Sequence, residues 1–235
     1  MNTTRTPVAK GEAAPSTRSE IEAFVADMRA RVPAEGKGRL VFGLDATMSR
    51  QPTWDHACHL QAGMFEEAAA LGGLSIQLIY FRSFRECRAS RWSANPKELS
   101  ALMTGLSCQG GHTQIGRVLS HVRKTAREQK IGALIFVGDA MEESLDELSH
   151  TAGEIGLLGV PAFMFQEGRD PLAEQAFREI ARLTKGAYCR FDAASAAELG
   201  RLLRAAAAYA AGGRAALEDR ARGDRHAHLL LEQMR

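Results

Sequence analysis

Five side chains in this sequence offer hard oxygen donors in loops, four of them just after a strand and one just before a helix. Asp45, Thr47 and Ser49 stand together in the run Asp45-Ala46-Thr47-Met48-Ser49, Thr113 closes the loop Gly110-Gly111-His112-Thr113, and Asp139 follows Gly138. Two carboxylates and three hydroxyls suit a hard cation such as Mg²⁺, which takes oxygens at roughly 2.0–2.1 Å and keeps several waters. Hydroxyls are neutral. A shell built directly on them leaves much of the ion's charge unmatched and open to a carboxylate from outside.

Other chemistry is available to the same residues. Asp45 and Asp139 taken singly read as helix N-caps, a common task for Asp after a strand. Gly110-Gly111 lacks the Lys-Ser or Lys-Thr that completes a phosphate-binding loop. The stretch Gly105-Leu106-Ser107-Cys108-Gln109 misses the nucleophile elbow because Gln109 is not Gly. Cys108 and His112 are four apart with no third group to orient them, a weak basis for a thiol nucleophile and its base. Asp45 followed by Thr47 lacks the second Asp that a phosphatase with a nucleophilic aspartate has two residues on. Arg117, His121, Arg123, Lys124, Arg127 and Lys130 form one basic helix, read as a solvated face rather than a nucleic-acid patch. Trp54 is read as a core anchor for the helix it begins.

Positioning these residues requires a particular order of elements. Apolar runs at 40–44, 74–81, 133–137, 160–165 and 187–191 predict strands, with a further short strand near 84–87. Helical spacing predicts helices over 54–71, 96–106, 114–129, 142–157, 171–184 and 195–211, three of them stopped by Gly. Pro96 is at home at a helix start, where no N–H is needed. The run 134–137 is continuously apolar, as a strand buried on both faces should be. Alternating strands and helices imply an α/β fold: a doubly wound, mostly parallel sheet with helices on both faces. Ligands of such sheets bind at the carboxyl ends of the strands, where Asp45 and Asp139 fall.

In that context Asp45-x-Thr47-x-Ser49, then Thr113, then Asp139 resembles the metal-ion-dependent adhesion site of von Willebrand factor A (VWA) domains, over residues 38–211. The resemblance implies a Rossmann-like fold with a short antiparallel edge strand, and a Mg²⁺ or Mn²⁺ site. It also implies that Thr47, Ser49 and Thr113 ligate the ion directly, while Asp45 and Asp139 hold ligated waters. Two positions depart from the family pattern. Thr47 replaces the usual middle Ser, keeping the hydroxyl and adding a methyl. Ala140 stands where a Gly commonly follows the last Asp.

The totals restrict the function classes. A net charge of +2 with 25% charged residues demands neither nucleic acid nor membrane. Four scattered cysteines give no zinc spacing and fit a reducing, cytoplasmic setting. No secretory leader and no apolar run long enough to span a bilayer are read from the sequence. Residues 1–18 read as disordered, 19–37 as a helix and linker, and 212–235 as a charged tail, either docked or loose. The leading function is a non-enzymatic module that binds an Asp or Glu carboxylate of another protein through a divalent cation. Partners such as an ATPase or an assembly complex are what the resemblance implies. The alternatives are a Mg²⁺-dependent hydrolase of a phosphorylated or acyl substrate, and a degenerate domain that binds partners without metal.

Overall fold

A computed structural model describes residues 38–54, 64–66, 74–192 and 196–234. The readings for residues 1–37, and most of the helix read over 54–71, lie outside the described residues. Six strands form one sheet in the order β3-β2-β1-β4-β5-β6. They are β1 (Arg39–Asp45), β2 (Ser75–Arg82), β3 (Glu86–Ala89), β4 (Ala133–Gly138), β5 (Ala162–Glu167) and β6 (Ala187–Phe191). Every pairing is parallel except that of β2 with β3, the antiparallel edge.

Side chains leave a strand alternately to its two faces, and here both faces are buried. Leu40, Phe42 and Leu44 of β1 join Ile135 and Val137 of β4 in one core, while Val41 joins Leu134 and Phe136 in the other. Helices α2 (Ile115–Glu128), α3 (Leu145–Leu157) and α4 (Pro171–Leu183) close the second core. Helices α1 (Pro96–Thr104) and α5 (Ala196–Ala221) close the first, with Leu99, Met103, Leu199, Leu202 and Leu203 buried there. Trp54 also lies in this core, its indole N–H donating to the Leu106 carbonyl at 3.1 Å. The sheet is therefore doubly wound.

Local signals fix most helix starts. Asn95, Ser144 and Asp170 cap α1, α3 and α4 through their side chains, and Pro occupies the first turn of α1 and α4. The helix read from residue 142 starts only at Leu145, because Ser144 is the cap and the carboxylates of Glu142 and Glu143 turn away to a neighbouring helix.

The end of the chain is docked. α5 bends at Gly213, whose φ of 68° only glycine adopts readily, and continues to Ala221. A last helix, α6 (Arg225–Gln233), is capped by Asp224. Leu217, Ala227, Leu230 and Met234 are buried in the first core, and Gln233 accepts a hydrogen bond from the Tyr188 N–H of the edge strand β6 at 2.9 Å. Among the described residues no helix is long and apolar enough to cross a membrane. We predict that Leu230→Ala lowers stability by about 2–5 kcal/mol, the cost of a cavity in a packed core. Its exposed neighbour Leu229 should change it by no more than about 0.5 kcal/mol when replaced by Ala. Urea midpoints of the two variants check this; equal midpoints would mean that the terminal helix is not part of the core.

Candidate metal centre

β1 and β4 are adjacent and parallel, with Leu44 opposite Val137, so both chains leave the sheet at the same edge. Asp45 is the last residue of β1, and Asp139 follows the last residue of β4. They are close enough for the Asp139 charge to act on the Asp45 carboxyl. Neither is a helix cap. Oδ1 of Asp45 accepts the Thr47 N–H at 2.8 Å, a local turn two residues long. The chain then winds into a short 3₁₀ turn, Met48–Thr53, which sets Thr47 Oγ1 3.1 Å from Ser49 Oγ. The extra methyl of Thr47 is accommodated with its hydroxyl turned toward Ser49.

The Thr113 segment is fastened to both aspartate loops. Gln109 N–H donates to the Ala46 carbonyl at 3.1 Å, extending the parallel pairing beyond the end of β1. On the other side, Thr113 Oγ1 accepts the Glu142 N–H and Glu142 Oε2 accepts the Thr113 N–H, both at 3.0 Å. Glu143 accepts the N–H groups of Ile115 and Gly116 at 2.5 and 2.9 Å, so the loop after Asp139 caps α2 with a carboxylate. The β2–β3 turn presses on the same loop. Ser83 has a left-handed backbone (φ 54°), and a Cβ on Gly111 would lie 2.1 Å from its carbonyl oxygen. Gly110 has open space around it.

The structure thus gathers all five residues in three cross-linked segments at one sheet edge. Thr47 and Thr113 are nearly buried and Ser49 is exposed. Among the described residues only Ser83 and Lys185 combine a side chain with a positive φ, so the backbone at Ala140 does not require glycine. Two further residues belong to the neighbourhood. Arg50, fully buried, pairs with Glu167 at the end of β5, Nε to Oε2 at 2.8 Å. Neither has a motif signal; a long-range ion pair is invisible until the strands are ordered.

Burial dominates the electrostatics of Asp45. Removing the carboxyl from water pushes its pKa up to about 6, against the pull of its bonds to Thr47; the Asp139 charge adds to the rise and the Arg50 charge opposes it weakly. Asp45 Oδ2 and Asp139 Oδ1 are both buried without a hydrogen-bond partner among the described residues. An orphaned buried acceptor costs free energy, and two on adjacent strand ends suit a cation or its waters. No group of three or more His, Cys, Asp and Glu side chains that could hold a metal occurs among the described residues. An ion here would depend on the hydroxyls of Thr47, Ser49 and Thr113.

No sequence-family model matches the chain, and no curated protein does. Solved structures do. A von Willebrand factor type A protein from Catenulispora acidiphila superposes with a TM-score of 0.60 at 16% identity, covering 74% of this chain and 43% of that one. The SpRpn10 VWA domain gives 0.56 at 9%, covering 67% and 89%. The pilus adhesin SpaC from Lactobacillus rhamnosus GG gives 0.58 at 12%, covering 75% and 31%. The chain therefore spans less than half the length of the first and last of these. At such identities the likeness establishes the fold, that of VWA domains.

Two predictions follow from this geometry. Gly111→Ala should destabilise the protein and displace Thr113, because the Ser83 carbonyl must move, whereas Gly110→Ala should be neutral to within about 0.5 kcal/mol. Melting temperatures of the two variants decide it, and equal values would refute the close contact. The second concerns pH. With its folded pKa raised, Asp45 adds stability in its protonated form below about pH 4 and loses it as pH rises through about 6. In metal-free buffer, denaturant unfolding should give a wild type that loses on the order of 2–3 kcal/mol relative to Asp45→Asn between pH 4 and pH 7. A pH-independent difference would mean that Asp45 is not desolvated.

Proposed function

We propose that this chain is a non-enzymatic protein-binding module in which Thr47, Ser49 and Thr113 hold Mg²⁺ or Mn²⁺ directly. Asp45 and Asp139 balance the ion's charge from one shell further out. The observation that carries the reading is the pair of orphaned buried oxygens, Asp45 Oδ2 and Asp139 Oδ1, at neighbouring strand ends. Arg50 is matched by Glu167, so the two aspartates keep a combined charge near −2 when ionised, which a divalent cation offsets. The VWA fold supports the same assignment. When bound, such an ion supplies Lewis acidity at an exposed sheet edge.

This chain's own residues account for the rest. Asp45 and Asp139 orient donors rather than attack a substrate. The hydroxyls leave the ion short of anionic ligands, so an Asp or Glu of another protein is the preferred addition. A carboxylate bond of this kind is directional and desolvated, suited to anchor a modest interface with a partner such as an ATPase or an assembly complex. A hydrolase is less well supported. His112, next to Thr113 in the chain, is engaged by Glu142 and by the Phe84 ring, and Cys108 is buried.

We expect Mg²⁺ or Mn²⁺ to raise thermal stability by RT ln(1 + [L]/Kd), about 2.7 kcal/mol at a hundredfold excess over Kd. Asp45→Ala should abolish the gain while the protein stays folded. Melts in metal and in EDTA test both; a wild type indifferent to the ion leaves the metal-free binding domain as the better reading.

A further inference from the structure

Beside the candidate centre stands a side chain that the proposed function does not use. Phe84, at the tip of the β2–β3 turn, is 70% exposed, although a large aromatic ring gains most from burial. Exposed apolar side chains scattered singly need no explanation, but this one is held in place. Its ring meets the imidazole of His112 edge to face, with centroids 5.4 Å apart. His112 Nδ1 lies 3.2 Å from Glu142 Oε2, the oxygen that accepts the Thr113 N–H. From below, the turn is fixed by Ser83, which donates to Gln109 at 2.7 Å and accepts from Gln114 at 3.0 Å. The ring is thus tied through His112 and Glu142 to Thr113 itself. Met48, between Thr47 and Ser49, is a second exposed apolar side chain in the same cross-linked segments. Arg85, next to Phe84, is exposed, and its side chain has no partner among the described residues.

We infer that Phe84 and Arg85 form a specificity platform that reads the residues beside the partner's carboxylate, selecting an acidic segment in which the ion-binding Asp or Glu is flanked by a large apolar side chain. The inference rests on the metal-dependent reading of Thr47, Ser49 and Thr113. The aromatic face receives the apolar neighbour, and the exposed guanidinium favours the negative charge of such a segment. The edge-to-face contact with His112 restricts the ring before binding and so lowers the entropy lost on ordering it. An acidic partner segment also complements the bound cation.

The test uses the full chain and glycine-flanked synthetic hexapeptides carrying Asp-Phe, Asp-Ala or Asn-Phe. Mn²⁺ binding to the protein alone is measured separately. With Mn²⁺ present, the Asp-Phe peptide should bind at least about threefold more tightly than Asp-Ala, the scale of one aromatic contact, and Asn-Phe should not bind. Phe84→Ala should reduce that preference to unity while leaving the Asp-Ala affinity and the Mn²⁺ affinity unchanged; its exposed position keeps the fold intact. Arg85→Ala should weaken both Asp peptides and flatten their salt dependence. If Mn²⁺ binds but no peptide does, or if the preference is missing or survives Phe84→Ala, the platform is overturned and the metal reading stands. If Mn²⁺ does not bind the wild type, the metal reading fails and the platform with it.

Discussion

The Asp45 carboxyl is taken out of water at the end of β1, and Asp45 and Asp139, at the ends of adjacent parallel strands, each keep a buried oxygen that no donor among the described residues reaches. That constraint organises the edge of the sheet. A buried acceptor without a partner is costly, and a buried carboxylate more so. The sequence around Asp45 reduces the cost in the local way open to it, by curling Thr47 N–H back onto Oδ1. It leaves Oδ2 bare. Packing here is close as well: a Cβ on Gly138 would lie 2.9 Å from the Phe136 ring and 3.4 Å from the Asp45 side chain. A Cβ on Gly43 would likewise lie 3.0 Å from the Phe136 side chain and 3.2 Å from that of Val118, so small residues at Gly43 and Gly138 let β1, β4 and α2 pack closely.

The loops that carry the hydroxyls are not independent. Gln109 extends the pairing past Ala46, Ser83 crowds Gly111, and Glu142 and Glu143 spend their carboxylates on the start of α2 instead of on their own helix. A side chain that caps a neighbouring helix fixes two loops at once, so Thr113 and the Asp139 loop move together or not at all. Preorganisation of this kind lowers the ordering entropy of any ligand that spans the segments.

The buried pair of Arg50 and Glu167 adds a different kind of tie. Such a pair is a poor source of net stability, since desolvation offsets most of the attraction, but loss of one member leaves the other stranded. Here it joins the turn after Ser49 to the end of β5, two strands from β1. The terminal helix α6 adds another tie, holding edge strand β6 through Gln233.

The order of strands and helices was legible in the sequence because burial imposes periodicity: 133–137 reads as a doubly buried strand since each of its side chains must be apolar, and Pro96, Pro171 and the glycine stops mark helix ends by backbone geometry alone. Asp45 and Asp139 could be named because each stands at a strand end and a doubly wound sheet sends those positions to one edge, whereas Thr113, in a loop before a helix, was named only through the resemblance to the VWA motif. Residues Glu142 and Glu143 read as the start of a helix, because helical spacing cannot tell a residue inside a first turn from one whose side chain caps a different helix. Residues 214–235 read as either docked or loose, since a charged amphipathic segment commits to neither until a surface is available; the structure supplies one, and buries Leu217, Leu230 and Met234 against it. The depth of Asp45, the pairing of Arg50 with Glu167, and the seat of Phe84 on His112 were decided by tertiary structure alone, because each joins residues far apart in the chain by through-space contact that leaves no local pattern.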